Sequence, residues 1–550
     1  MKWDAEEVIK RFNEKKSERS TYESTWQDVA KYCLPRKADV IEKKTPGQKL
    51  DYDVYDSTAI QSNIVLAAGF HSYMTNPSSK WFGLRTQNAG MMQKKEVKMW
   101  LATAESSMYD VFNSSNFNQQ IHEVYLDLPV FGWGCLYVTG DAKDIVRYYS
   151  RSIAEVYIDE DEAERVDTVY RKFTLTARQA YRLWGKDAGK TVLECIKEDD
   201  DDEPIEFCHF IGPRADYNPG KRDSVNMPYV SMYLDVKARE IITESGYWEF
   251  PFMCPRFNKQ AGELYGTGPG LVSYSDIKML NSMDLVTIRA AQKIVDPPMV
   301  LPHDGFLLPI KQSPGAINYA TRSNPNDRID FLNSPANIPV SFEMMNARRQ
   351  VIQRNFFVDL FLLMAQVPEG RMTATEVIQR NAEKMLILAP TLGRLITELL
   401  DPVIQRTFNI MLRAGVIPPA PESLRGQEYV IEYTSPLAKA QKAADLNSMS
   451  NFLGMIGQMA QFMPSVLDKI DSDQVVDKEA DMHNIPPSIV RSPEEVGAIR
   501  QQKAQEQAQM MQMQALQATA ATAKDGTQAI KNVADAEEVA TGAEQSAAAA

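Results

Sequence analysis

The period of the apolar positions changes twice along the chain and divides it into three stretches. Residues 3–34 carry a broken helical stripe, Trp3, Val8, Ile9 and Phe12, then Tyr22, Trp26, Val29 and Ala30, which Pro35 ends. STAIQSNIVLAAGFHSYM (57–74) and KKEVKMWLATAESSMYDVFN (94–113) predict two more helices, separated by the turn-forming loop NPSSKWFGL. From Gly134 the period drops to two. CLYVTGD, IVRYYS, EVYIDED and DTVYRKFTL are short and rich in β-branched and aromatic residues, and they predict an antiparallel meander. A short helix interrupts it at 176–185, where Thr176 and Gln179 stand at capping-box spacing and Gly185 closes the last turn. Strands resume at IEFCHFIG, PYVSMYLDV and REIITESGYWEF. The acidic run EDDDDE (198–203) lacks the glycine and terminal glutamate of a calcium loop and reads as a solvated connection.

Beyond Gly270 the helical period returns. Residues 271–296 place Ile277, Leu280, Ile288, Ala291 and Ile294 near one face of a long exposed helix, with Asp276, Lys278, Asp284, Arg289, Lys293 and Asp296 balanced in sign. Pro297 and Pro298 stop it, and the breakers spread up to Pro339 predict a compact loop-and-strand module. A second long helix is predicted over 341–366, with Ser341 as N-cap and Glu343 at the positive end of its dipole. After VPEGR (367–371), Thr373 and Glu376 form another capping box. It opens a helix with Met385, Leu388, Leu392, Leu395, Leu399, Val403 and Met411 at threes and fours and kinks at Pro390 and Pro402. From about 437 the chain is helical and polar, with Ser492 and Glu495 at capping-box spacing, and 525–550 reads as a weakly structured tail. The fold class expected is α+β, predominantly helical.

At 550 residues the chain is too long for one domain. Its 73 acidic against 60 basic residues give a net charge of -13, which argues against a protein that holds nucleic acid by neutralising phosphates. The cysteines at 33, 135, 195, 208 and 254 have neither a close pair nor a regular spacing, so they suggest no disulfide framework or zinc knuckle and fit a reducing compartment. The charged amino terminus lacks the apolar stretch of a signal peptide, and IVLAAGF (64–70) falls far short of a bilayer span, so no membrane association is expected.

Motifs that would carry chemistry are missing or defective. GKDAGKT (185–191) has three residues between its glycines where a phosphate loop has four, and it leaves a helix where such a loop leaves a strand. GTGPG (266–270) has a proline in place of an N–H donor and no βαβ context, so it reads as a hinge into the helix at 271. There is no GxSxG elbow, and His71, His122, His209, His303 and His483 show no ligand spacing. Met510, Met511 and Met513, among glutamines, read as a helix-packing seam. No catalytic residue, metal ligand or cofactor is predicted.

Three stretches, YDSTAIQSNIVLAAGFHSYMTNPSSKWFGLR (55–85), YGTGPGLVSYSDIKMLNSMDLVTIRAAQKIVDPPMVLP (265–302) and RMTATEVIQRNAEKMLILAPTLGRLITELLDPVIQRTFNIML (371–412), together with the order of elements between them, make the chain resemble the portal, or head-to-tail connector, proteins of short-tailed phages. The resemblance implies a ring, typically of twelve subunits, at one capsid vertex, through which double-stranded DNA is packaged and ejected. It also implies contacts with the terminase large subunit, the major capsid and scaffold proteins and a tail adaptor, and no enzymatic activity.

On that pattern residues 1–270 would form the wing, 271–296 and 341–366 the stem, 297–340 the clip and 367–373 the tunnel loop. Residues 374–436 would be a kinked wing helix and its return, 437–500 the crown, and 501–550 a barrel helix with a low-complexity tail. Pro368, Glu369, Gly370 and Arg371 would face DNA in the channel. The stem charges Lys278, Asp284, Arg289, Lys293, Glu343, Arg348, Arg349, Arg354 and Asp359 would bridge subunits or line the channel. Two other readings compete, a translocating NTPase, against which the defective phosphate loop speaks, and another virion structural protein, a scaffold or internal core protein.

Overall fold

The computed structural model of the chain describes residues 3–300 except 44, 46, 49–52, 89, 219 and 222, then 310, 317, 319, 330–331, 338–365, 386–424, 429–433, 449–459, 462–463, 470–482, 489–491, 495–514 and 531. It is a mixed helix-and-sheet fold that divides into two compact units. One is built from residues 1–87, 103–420 and 427–452, the other from 88–102, 421–426 and 453–550.

The first unit begins with α1 (Ala5–Cys33), opened by Asp4, whose side chain accepts a hydrogen bond from the Glu7 amide at 2.8 Å. Val8, Ile9 and Phe12 bury against Tyr157, Tyr170, Cys208, Phe210 and Met232 of a sheet. Each such side chain is worth roughly 1.5–3 kcal/mol of apolar burial. One turn further, the buried Arg19 guanidinium donates to the carbonyls of Ile153 and Val156 and to Glu23, so this cation joins helix to sheet.

That sheet has strands β4 (Val156–Glu160), β5 (Val166–Thr176), β6 (Pro204–Pro213), β7 (Tyr229–Asp235) and β8 (Glu240–Tyr247), all antiparallel and in sequence order. Its period of two is visible in β6, where Cys208 and Phe210 face α1 while Ile205 and Phe207 face α5 (Ala177–Trp184) and α6 (Lys190–Lys197). The capping box of Thr176 with Gln179 forms as expected, and Gly185 caps α5 at φ 60°.

The meander is two sheets, where the sequence suggested one. β2 (Leu136–Asp141) pairs with β3 (Ile145–Ser150) on one side and with β9 (Phe252–Met253) on the other, and neither joins the five-stranded sheet. A further two-stranded ladder joins β1 (Phe82–Thr86), inside the segment read as a loop, to β12 (Tyr429–Tyr433).

Helices α2 (Thr58–Met74), α3 (Lys95–Ser114) and α4 (Phe117–Phe131) complete the amino-terminal part; α4 was not anticipated and contains Pro129. The GTGPG segment leads into the helices that follow and packs tightly. A Cβ on Gly268 would stand 2.3 Å from the Pro129 carbonyl oxygen, and one on Gly266 would stand 2.3 Å from that of Gly132. This close approach seats α7 (Pro269–Val272) on α4, and α8 (Tyr274–Val295) follows after a break at Ser273.

The next helix departs from expectation twice. α9 (Ile338–Asn355) starts before Ser341, because Pro339 sits in its first turn, where a missing N–H costs nothing. It ends at Asn355, and after Phe357 at φ 57° the chain continues as α10 (Val358–Ala365). The break lets Phe361 pack on Phe70 at 6.3 Å between ring centroids, over Gly69, where a Cβ would meet the ring at 2.5 Å. Around Pro390 and Pro402 the chain forms α11 (Ala389–Leu395), a π-helical turn at Ile396–Leu400 and α12 (Asp401–Arg413). The backbone stays right-handed helical through both junctions, so the three segments run on without a break, as one helical run with a π-helical turn between the two prolines.

Of the 297–340 module, the pairing of β10 (Met299–Val300) with β11 (Asp330–Phe331) is described. Pro368 to Arg371, both residues of the Thr373–Glu376 capping box, Ser492 of the Ser492–Glu495 box and the 525–550 tail apart from residue 531 lie outside the described residues. Beyond 433 the described helices cover 449–459, which starts in the first unit, and, in the second, Ser472–Met482 and 495–514. Arg500 meets Asp473 at 2.6 Å and Lys95 meets Glu495 at 3.0 Å.

Candidate functional site

The charged residues that the sequence singled out between 278 and 359 fall on α8, α9 and α10. The first two helices run antiparallel, Asn355 donating to the Ser273 hydroxyl at 3.0 Å and Thr287 lying against Met345 further along. The pair is fastened to the rest of its unit by a row of polar contacts. Asp56 is placed by the start of α2. One carboxylate oxygen accepts from the Thr58 amide at 2.8 Å, the other from Arg349 Nε at 2.8 Å. Arg349 Nη2 reaches on to Asp284 at 3.1 Å, so a single guanidinium from α9 binds the start of α2 and the middle of α8.

The two carboxylates respond oppositely. Burial raises Asp56, but hydrogen bonds from Thr58 and Arg349 outweigh it and hold the group below its ordinary range; burial, together with neighbouring Asp56, pushes Asp284 up. The guanidinium is itself raised, first by its bond to Asp56. Beside it, Arg348 donates to Asp276 at 2.6 Å. Asn281 accepts from the Tyr55 amide at 2.7 Å and donates to the Asp53 carbonyl at 2.8 Å, and Tyr274 donates to Asp28 of α1 at 2.7 Å with Lys278 3.1 Å behind it.

The remaining candidates are not drawn into this network. Arg289, Lys293, Glu343, Arg354 and Asp359 are exposed and have no partner among the described residues. All but Asp359, which is on α10, share α8 and α9 with exposed apolar side chains, Val286 (62%), Ile288, Ile294, Phe342 and Met344 (51%). A helix pair anchored along one side and mixed apolar and charged on the other fits a lateral contact surface.

Sequence reasoning named Asp284, Arg348 and Arg349 but missed their partners. Asp56 carried a signal, since Asp-Ser-Thr before an apolar helical run marks an N-terminus. A second node had none. Arg256, 1% exposed, donates to both oxygens of Glu398, to Glu160 at 2.8 Å and to the Glu164 carbonyl at 2.8 Å, so residues 96 and 142 positions away converge on it. Arg406 likewise donates to the carbonyls of Val138 and Glu249.

Nothing in these networks places a nucleophile beside a base. His209 lies in β6 against the Ser231 hydroxyl at 2.9 Å and stacks on Tyr233 at 4.1 Å; burial, with Arg171 and Arg151 nearby, pushes it down to about 3, so it is a neutral core residue at physiological pH. Among the described residues no three His, Cys, Asp or Glu side chains converge as a metal site. The GKDAGKT segment is a 3-10 turn and the start of α6, preceded by a helix, and presents no phosphate nest. No helix among the described residues is long and apolar enough to cross a membrane.

Comparison with known proteins agrees with the resemblance read from the sequence. The profile described as bacteriophage head to tail connecting protein matches residues 5–490. The "Probable portal protein" of Bordetella phage BPP-1 is 34% identical over 506 residues, 91% of each chain. The "Portal protein" of Salmonella phage epsilon15 is 32% identical over 510 residues, 92% of each chain. With the match running through both sheets, the α8 and α9 pair and the helices at 449–459 and Ser472–Met482, the chain belongs to the bacteriophage head-to-tail connecting protein family.

Proposed function

We propose that this chain is a portal subunit, part of a ring at one capsid vertex through which double-stranded DNA enters and leaves, and on which terminase and tail adaptor dock. The observation that carries this is the near full-length likeness to two portal proteins, 91% and 92% of the chain. In this reading α8 and α9 are stem, 297–340 is the clip facing the terminase large subunit and later the tail adaptor, and 367–373, with Pro368, Glu369, Gly370 and Arg371, is the tunnel loop. Residues 1–270 are wing, 374–436 a kinked wing helix and its return, 437–500 crown and 501–550 a barrel helix with a low-complexity tail, inside the head near major capsid and scaffold proteins. Twelve subunits, as is typical of the family, would assemble in the host cytoplasm.

The physics of a conduit supports the assignment. A polyanion slides only where few phosphates are neutralised at once, because each neutralised phosphate adds a salt-sensitive attraction. The subunit is acidic overall, at -13, and Arg348 and Arg349 are occupied by Asp276, Asp56 and Asp284 within the same chain, which leaves Arg289, Lys293 and Arg354 as the free stem cations among the described residues. Screening over about 8 Å confines any grip on DNA to the narrowest radius. The two sheets between 136 and 253 speak against a purely helical scaffold.

Removing the reading frame from the phage genome tests the function. Heads lacking DNA, filled again when the chain is supplied in trans, are the expected outcome; DNA-filled heads in its absence would overturn the reading.

A further inference from the structure

Two of the five cysteines, far apart in sequence, meet across the β2–β9 ladder. Leu136 faces Met253 and Trp133 faces Arg256 in antiparallel register, so Cys135 lies directly opposite Cys254. The main-chain hydrogen bonds leave from the neighbouring positions, Gly134 N to Pro255 O at 3.0 Å and Val138 N to Pro251 O at 2.9 Å. The cysteines therefore occupy a non-hydrogen-bonded pair, the closer of the two antiparallel pairings, where Cα atoms stand about 4.5 Å apart. That spacing lies inside the window of roughly 4.4–6.8 Å that a disulfide spans. The sulfurs are 3.9 Å apart, in contact but unbonded, and both side chains are buried.

We propose that Cys135 and Cys254 are a latent cross-strand disulfide, open as dithiol in the reducing cytoplasm and closed by a small-molecule disulfide once the particle is outside the cell. In the reaction each sulfur gives up its proton, one attacks the oxidant's S–S bond to form a mixed disulfide and release the first small thiol, and the second attacks that intermediate to form the protein S–S bond and release the other. Two protein thiols are oxidised and one external disulfide is reduced to two thiols.

The hydrogen bond between the sulfurs and its burial push the Cys254 thiol well up, which keeps that thiol protonated and slow while the ladder is shut. Local opening is expected, because the ladder is short, two residue pairs within β9 continued by Trp133 opposite Arg256, and short ladders open more readily than whole domains. Once formed, the bridge fixes the segment that carries Arg256, and with it the node joining Glu160, Glu164 and Glu398.

The full chain, purified in reductant, is incubated natively with oxidised glutathione, acid-quenched, alkylated in denaturant and peptide-mapped without reduction. The expected result is a fall from five alkylatable thiols per chain to three, a peptide pair joining 135 to 254, and a higher unfolding temperature that reductant reverses. Five thiols still free, a lasting glutathione adduct, or a bridge to Cys33, Cys195 or Cys208 would overturn the proposal. Cys254→Ala, mapped alongside, should keep its four thiols free; a bridge in that variant would also count against it.

Discussion

Buried arginines carry much of the structural burden at the scale of single residues. Arg256 is buried among acceptors from Glu160, Glu164 and Glu398, and although Lys259 also pairs with Glu160 and Glu164, removing Arg256 leaves Glu398 without its cation. Arg256→Met should cost about 3–5 kcal/mol, the range for breaking a buried ion pair on one side, read as a lowered midpoint in thermal or denaturant unfolding. A second test concerns Asp127, 1% exposed beside Lys37 at 2.7 Å. Burial raises its carboxyl to about 6 despite that lysine, against about 3.9 in an unfolded chain. A carboxyl raised on folding contributes stability that is complete below about pH 4 and lost as pH rises through 6, here on the order of 3 kcal/mol. Asp127→Asn should therefore gain on the native chain between pH 4 and pH 7. A constant difference between the two unfolding temperatures over that window would contradict the assignment. Neither residue was legible beforehand, because the partners of Arg256 are scattered and Asp127 sits in a helix that the sequence reading did not mark. Arg348 and Arg349 were legible as charges but not as pairs, since one partner of Arg349 lies 293 positions away.

Helix termini were the most readable elements, because a cap is a local code. The Asp4 cap went unread inside a helix expected from residue 3, whereas the Thr176–Gln179 box and Gly185 could be argued from a few adjacent residues. What depends on distant pairing was not. FGLRT becomes β1 only because residues 429–433 lie alongside it, and the meander splits because two residues of β9 add to β2. The break at Phe357 has no glycine or proline to announce it; the burial of Phe356 and the seating of Phe361 over Gly69 accompany its positive φ. Two glycine substitutions separate close packing from helical preference. Gly268→Ala drives a methyl into the Pro129 carbonyl, and nothing at that site is a flexible side-chain end, so several kcal/mol or loss of soluble protein is expected. Gly393→Ala meets nothing within 4 Å inside α11 and should stabilise by about 0.5–1 kcal/mol. Calorimetry of the two variants side by side checks both signs.

For the molecule as a whole, the order of helical and period-two stretches was enough to point to the family, although no short motif is diagnostic. The proposed assignment of wing, stem, clip and crown rests on that family pattern. Deleting 368–371 probes it, since the tunnel-loop reading expects rings to persist while DNA packaging or retention fails, whereas collapse of the ring would remove the loop assignment. A closed ring also needs two different side surfaces per subunit, which the exposed apolar and charged faces of α8 and α9 can supply. Electron-microscope imaging of the purified full-length chain addresses the central claim most directly. The account predicts closed rings with rotational symmetry and an open axial hole; a solitary globule, or an open or fibrous assembly without an axis, would contradict it.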